Sequence, residues 1–212
     1  RSAVLGTDGV GLAGDAFDAA IVRNVIAPAF GNGTDQRTPF GKVFPLPGWV
    51  FVHLERWHQL TMLGVPSMRR RLRSILREAE HPELFGALVH VVENELAFQL
   101  VCSVQTAKAD LSREDSTRLV FVDEDVCIDA PIQRSDFEAW IAPELAEMDA
   151  AVTRLLAKTG VTPGDVDRVF LTGGSSFVPA VRRQFADRFG AAKLASGDEL
   201  TSVARGLALS GL

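Results

Sequence analysis

Cysteine is scarce, with only Cys102 and Cys127 in 212 residues. Two thiols are too few for a disulfide framework and stand at no metal-site spacing. They are expected to be plain buried thiols of a reducing, cytoplasmic setting. A membrane-spanning run is lacking as well. The most apolar stretch, Leu84 to Val104, is interrupted by Glu93, Asn94, Glu95 and Gln99, which a lipid interior would not accept. The chain opens on RSAVLGTDGVGLAG, with no initiator methionine and no signal-peptide pattern, and it stops inside patterned sequence. It is expected to be a piece of something longer. Basic residues are outnumbered, 22 against 27 acidic ones, giving a formal net charge of −5. That balance argues against general affinity for nucleic acid or anionic membranes. His53, His58, His81 and His90 show no HExxH or paired-ligand spacing, and no GxSxG elbow occurs. Neither a metal site nor serine-hydrolase chemistry is expected.

What is present is the balance of a soluble globular protein, 47% hydrophobic and 23% charged, in a length that suits one large domain or two small ones. Val4 and Leu5 read as the end of a short strand running into a glycine-rich turn. Phe17, Ile21, Val22, Val25 and Ile26 share one helical face. Residues 31–48 hold four glycines and three prolines, predicting a loop or an extended connection. Val50, Leu54, Trp57 and Leu60 predict a helix ended by Gly64 and Pro66. A basic helix, Met68 to Glu80, carries Arg69, Arg70, Arg71, Arg73 and Arg77. From Pro82 a single long amphipathic helix is predicted, with Leu84, Leu88, Val92, Leu96 and Leu100 stepping by four, to about Leu111.

Leu119 to Val122 and Val126 to Ile128 read as a hairpin joined through Asp123-Glu124-Asp125, without the glycine that the tightest turns prefer. Ser135 onward returns to a helical pattern that Gly160 and Pro163 close. Val169 to Leu171 is a strand, Thr172-Gly173-Gly174-Ser175-Ser176 a turn, and Val178-Pro179 opens a helix that Gly190 stops. Asp198 to Leu212 reads as one more helix. The composite is α/β, with a helix-rich subdomain, residues 14–136, inserted into a sheet-containing lobe made of 1–13 plus 137–212.

Two segments offer binding chemistry. After the strand, Gly173 and Gly174 let backbone approach a ligand, and the amides of a helix start favour an anion such as phosphate. The same pattern also makes an ordinary tight turn. Gln105, Lys108 and Ser112 share one helix face and offer an amide, an ammonium and a hydroxyl, a set able to hold ribose hydroxyls and a base edge. The plain alternative is a solvated helix end with a lysine favoured by the helix dipole. The arginine helix reads either as a solvated face or as a contact for an acidic partner.

Four stretches occur in one order: Gly14-Asp15-Ala16-Phe17-Asp18, QTAKADLS from Gln105, VFLTGGSSFVPAV from Val169, and Gly197-Asp198-Glu199 with Val203-Ala204-Arg205-Gly206-Leu207-Ala208. Together they resemble the ATPase domain of the seventy-kilodalton heat-shock chaperones, the DnaK-like family, and within it the YegD-like branch. The resemblance implies the second lobe of an actin-like ATPase fold, a sheet flanked by helices whose helix-rich insert covers an adenosine pocket. It implies a fragment of a molecular chaperone's ATP-binding domain that couples nucleotide state to protein binding. Gly173 and Gly174 would approach the phosphates and Ser175 would lie beside the adenosine. Gln105 and Lys108 would hold the ribose hydroxyls, Ser112 would face the adenine, and Asp198 would line the far side. The implied ligand is ATP or ADP, with Mg²⁺ bound through the missing upstream lobe. No catalytic residue is assigned here, and the fragment alone is expected to be inactive. Implied partners are client proteins and a nucleotide-exchange factor, which in the family tends to grip this insert.

Three departures bear on the pocket. Gln105 stands where the family has Glu, and Ala109 and Phe177 stand where it has arginines that sandwich the adenine. Phe177 can stack on the base and Ala109 cannot, so weaker adenine binding is expected. Two other readings compete: the lobe of an actin-like small-molecule kinase, and a degenerate scaffold that has lost its nucleotide.

Overall fold

Phe17, Ile21, Val22 and Ile26 are all buried, on a helix that is not uniform. Helix α1 (Gly14–Ile21) passes through a wider π-helical turn, Val22–Ile26, into the short α2 (Ala27–Ala29). Pro28, which has no amide hydrogen to give, is separated from the loosened turn by one residue, Ala27. The computed structural model describes residues 4–11, 14–124 and 126–195. These form two compact units, one drawn from Arg1–Ala16 with Ile141–Leu212, the other Phe17–Trp140. The described residues are α/β, mostly helix with small sheets. The helix read at Asp198 to Leu212 lies outside them.

In the Phe17–Trp140 unit, the segment read as a loop holds a small antiparallel hairpin, β1 (Asp35–Arg37) and β2 (Val43–Pro45), with Asp35 opposite Pro45 and Arg37 opposite Val43. Glycine and proline obscure it, because its strands are too short for a visible alternation. The next predicted helix is two, α3 (Gly48–Glu55) and α4 (Trp57–Leu63), broken at an extended Arg56. The basic helix is α5 (Pro66–Glu78), started by its proline.

The long helix predicted from Pro82 is also two, α6 (Pro82–Glu93) and α7 (Ala97–Leu111), bent by 110°. Glu95 takes the left-handed conformation, φ +59°, and the Leu96 amide donates to the Val91 carbonyl at 3.0 Å. That is a Schellman stop with glutamate in the place glycine usually fills. Leu88, Val92, Leu96 and Leu100 are all buried on both sides of the corner. The spacing of four therefore survives the bend and conceals it. No helix among the described residues is long and apolar enough to cross a membrane.

Strands β3 (Ser116–Asp123) and β4 (Val126–Gln133) form a hairpin longer than predicted, in register from Ser116 opposite Gln133 to Asp123 opposite Val126. Glu124, at φ +42°, supplies the turn geometry that glycine would. Leu119, Phe121, Val126, Ile128 and Ile132 point to the buried face. Cys127 alternates to the opposite face and is exposed, and Cys102 is half-buried. Neither thiol is plainly buried, which corrects the reading from composition. Helix α8 (Arg134–Trp140) returns Phe137 to the core, edge-on to Phe17 at 6.3 Å.

In the other unit the helical pattern from Ser135 continues after a break at Ile141 as α9 (Ala142–Thr159), closed by Gly160 at φ +68°. Val4 and Leu5 are exposed and lie in no strand among the described residues, which corrects the expectation of one there. The N-terminal segment instead lies along α9. Asp8 pairs with Arg154 at 3.1 Å, and the Lys158 ammonium donates to the Thr7 carbonyl at 3.3 Å. A side chain at Gly6 would come within 2.7 Å of Thr159 Cγ2. Strand β5 (Val169–Phe170) pairs in parallel with β6 (Leu194–Ala195), and α10 (Pro179–Phe189) forms the crossover between them. Leu194–Ala195 has no sequence signal, since two residues carry no pattern.

Candidate functional site

The predicted binding residues divide between the two units, and each group is described within its own. Gln105, Lys108 and Ser112 lie in the last turns of α7 and just beyond it. The packing of β3 against α7 buries Val104, Ala107 and Leu111 and turns the polar residues away from the core. Gln105 is exposed, while Lys108 and Ser112 are half-buried.

Lys108 is not a solvated lysine at a helix end. Its ammonium lies 2.6 Å from Asp18 Oδ1, and the two side chains are only 19% and 13% exposed. A pair this sheltered must offset the cost of removing both charges from water, so its geometry is held. The Ser112 hydroxyl donates to the Lys108 carbonyl at 3.2 Å, one turn along the same face. Lys108 and Ser112 thus share one helix face, with Gln105 on the turn before. This donor set suits a vicinal diol or the edge of a base. Sequence reasoning gives Asp18 no role of its own, although it closes the Gly14-to-Asp18 stretch. Its signal is its place in that motif.

Gly173 and Gly174 follow β5. Gly173 takes φ +85°, a conformation that favours glycine, and Gly174–Phe177 makes a 3₁₀ turn leading into α10. The turn is tied down from inside. The buried Ser176 hydroxyl donates to the Gly173 carbonyl at 2.6 Å, and Arg182 Nε donates to the Ser176 carbonyl at 2.9 Å. Sequence reasoning misses Ser176 and Arg182, because neither residue has a spacing rule. A side chain at Gly173 or Gly174 would meet nothing within 4 Å. Packing therefore gives no reason for Gly174 to lack a side chain. Ser175 is half-buried, and Phe177 is 38% exposed, an aromatic face turned partly to solvent. Asp198 lies outside the described residues.

Arg71 and Arg73 of α5 are engaged, and among the described residues Arg69 makes only long contacts. Arg73 pairs with Glu93, and this partner holds the Glu93 carboxyl below its ordinary range. Arg69 reaches Glu95 at 3.3 Å, and Arg71 lies over the Trp49 ring at 4.6 Å. Among the described residues no group of His, Cys, Asp and Glu could hold a metal ion.

A family model described as Hsp70 protein matches residues 88–212. The chain is similar to heat shock protein hsp88 from Neurospora crassa, 33% identical over 86 residues, covering 41% of the chain and 12% of that protein. A chaperone protein HscA homolog from Tolumonas auensis is 32% identical over 131 residues, 62% of the chain and 20% of that protein. Heat shock 70 kDa protein 14 from Mus musculus is 34% identical over 99 residues, 45% of the chain and 19% of that protein. The chain thus spans no more than about a fifth of the length of these relatives.

Proposed function

Because this chain belongs to the Hsp70 protein family, we propose that it supplies the adenosine side of an ATP site in a chaperone's ATP-binding domain. The fold in this reading is the second lobe of an actin-like ATPase, with residues 14–136 as the inserted subdomain over the pocket. Lys108 and Gln105 hold the ribose hydroxyls, Ser112 faces the adenine, and Ser175 and Phe177 lie beside the adenosine. The backbone at Gly173 and Gly174 approaches the phosphates, and Asp198 lines the far wall. Bound ATP, with Mg²⁺ held by groups of the partner lobe, supplies the phosphoryl group whose transfer such domains use to change state. Client proteins and an exchange factor are the partners this reading implies, in the cytoplasm.

The observation that carries the reading is the Lys108–Asp18 pair at 2.6 Å, which fixes an ammonium on the same face as the Ser112 hydroxyl. A site for a ribose needs donors already in position, since ordering them on binding would cost affinity. The bare, uncrowded Gly174 supports a phosphate approach on the other segment. The kinase alternative is not favoured, because the relatives found carry chaperone and heat-shock names.

Calorimetric titration of ATP and ADP tests the proposal in a polypeptide that joins this chain to the lobe implied upstream. Saturable binding that Lys108→Ala weakens by about tenfold is the expected result. Tight binding indifferent to Lys108→Ala would overturn the site assignment, and no binding at all would favour the degenerate scaffold. The 212-residue chain alone is expected to show no Mg²⁺-dependent ATP turnover above a buffer control.

A further inference from the structure

Within the Phe17–Trp140 unit, helices α4 to α7 line an open-sided pocket of about 490 Å³ that contains none of the residues assigned to nucleotide. This volume falls in the range of small-molecule sites. Leu60, Val65, Val91, Val92 and Phe98 make its wall apolar, and Arg69 and Glu95 are its charged lining residues. Phe98 is 77% exposed, a large apolar ring left at the rim with little cover.

Arg69 is poorly served by its protein partners. It donates from one terminal nitrogen to the Glu93 carbonyl at 3.4 Å and from the other to Glu95 Oε1 at 3.3 Å, both near the limit of a hydrogen bond. Its Nε is buried and has no acceptor among the described residues. A guanidinium in this state gains from a carboxylate that can approach to the short distances of charge-assisted bonds. Glu95, which meets the guanidinium at 3.3 Å, is a solvent-exposed partner. Its side chain is 83% exposed and its backbone is committed to the left-handed stop between α6 and α7.

The geometry points to a binding site for a medium-chain aliphatic carboxylate. Its tail lies against Leu60, Val92 and Phe98, and its carboxylate replaces Glu95 on Arg69. The apolar wall recognises the tail by burial, and the guanidinium recognises the head by charge and shape. Glu95, a like charge beside the incoming head, competes with the ligand.

Decanoate, kept below its micelle concentration, is the probe. It is titrated by calorimetry into the 212-residue chain beside decanol, which has the same tail and no charge. Saturable binding of decanoate, about tenfold tighter than decanol, is expected. Arg69→Met should bring decanoate down to the level of decanol without moving decanol. Glu95→Gln should tighten decanoate by about threefold, the size of a lost exposed-charge effect. Amide NMR shifts should centre on Val91 and Phe98. Equal affinities for decanoate and decanol, no saturable binding of either, or shifts centred elsewhere would overturn the proposal. Should Arg69→Met not fold, the decanol comparison and Glu95→Gln decide it.

Discussion

Helices α7 and α9 are both long and both amphipathic in sequence, yet α7 buries Leu100, Val104, Ala107 and Leu111, while α9, at 18 residues, buries none. Leu145, Met148, Val152, Leu155 and Leu156 keep their helical spacing on α9 and stay half-buried. The difference lies in what each helix has to pack on. Beside α7 stands the β3–β4 hairpin, with eight residues in each strand and five buried side chains on one face. In the unit of α9 the only paired strands among the described residues, β5 and β6, have two residues each. An apolar stripe is a request for a partner, and only a neighbouring surface fulfils it. Among the described residues, polar ties join α9 to α10 in this unit: Arg188 to Asp149 at 2.6 Å and the Gln184 amide to the Leu145 carbonyl at 3.1 Å.

The strongest way to break this contrast is to remove apolar bulk from both units. Phe85→Ala, at a fully buried ring of α6, should cost about 3–5 kcal/mol, while Leu155→Ala on α9 should cost under about 1 kcal/mol. Denaturant unfolding of the two variants measures both. Similar losses would mean that α9 is packed as firmly as the other core.

Next comes the polar contact inside the better-packed unit. Lys108→Ala removes the ammonium that faces Asp18 in a sheltered place and should destabilise the chain by about 1–3 kcal/mol, read from the same unfolding curves. In the other unit the pair to set beside it is Arg154 with Asp8, where the arginine is 54% exposed. Arg154→Ala should change stability by less than about 0.5 kcal/mol.

The glycine turn sharpens the comparison within the α9 unit. Gly173→Ala forces a side chain onto φ +85° and should cost about 1 kcal/mol, whereas Gly174→Ala meets no neighbour and should leave the melting temperature nearly unchanged. If Gly174→Ala nonetheless lowers ATP affinity in the two-lobe polypeptide, the position serves the ligand and not the fold.

The smallest effect expected is one of pH. Hydrogen bonds from the Thr162 hydroxyl and amide hold the Asp165 carboxyl below its ordinary value. A carboxyl lowered in the folded state contributes stability above its unfolded pKa and loses it as the pH falls through the folded one. Asp165→Asn should therefore lower the melting temperature slightly at neutral pH and flatten its fall on acidification, the two proteins converging in acid. An unchanged acid profile would show that this cap contributes nothing measurable.

Much of the architecture is legible along the chain. The helical face at Phe17 to Ile26, the hairpin around Glu124 and the proline start of α10 all follow from local rules, as do Val181 and Phe189 on the face that also carries Phe185, which is only half-buried. The corner at Glu95 is not legible, because apolar spacing continues straight through it. The β1–β2 and β5–β6 pairings are not legible either, since strands of two or three residues have no periodicity to read. Of the candidate site, Lys108, Gln105 and Ser112 can be named from their shared helix face, and Gly173 from its place after a strand. The partnership of Lys108 with Asp18 cannot, because 90 residues separate them.

Amino-acid order alone determined the α/β character, the helix starts and stops set by proline and glycine, and the sides of α7 that are apolar and polar. Those outcomes depend on dihedral preference and short-range spacing, which act within a few residues. Tertiary structure decided which apolar stripes are covered, where α6 turns into α7, and that the Lys108 ammonium is held in place. Each of these depends on residues distant in the chain meeting in space, where burial and charge pairing are fixed by the neighbours that packing brings.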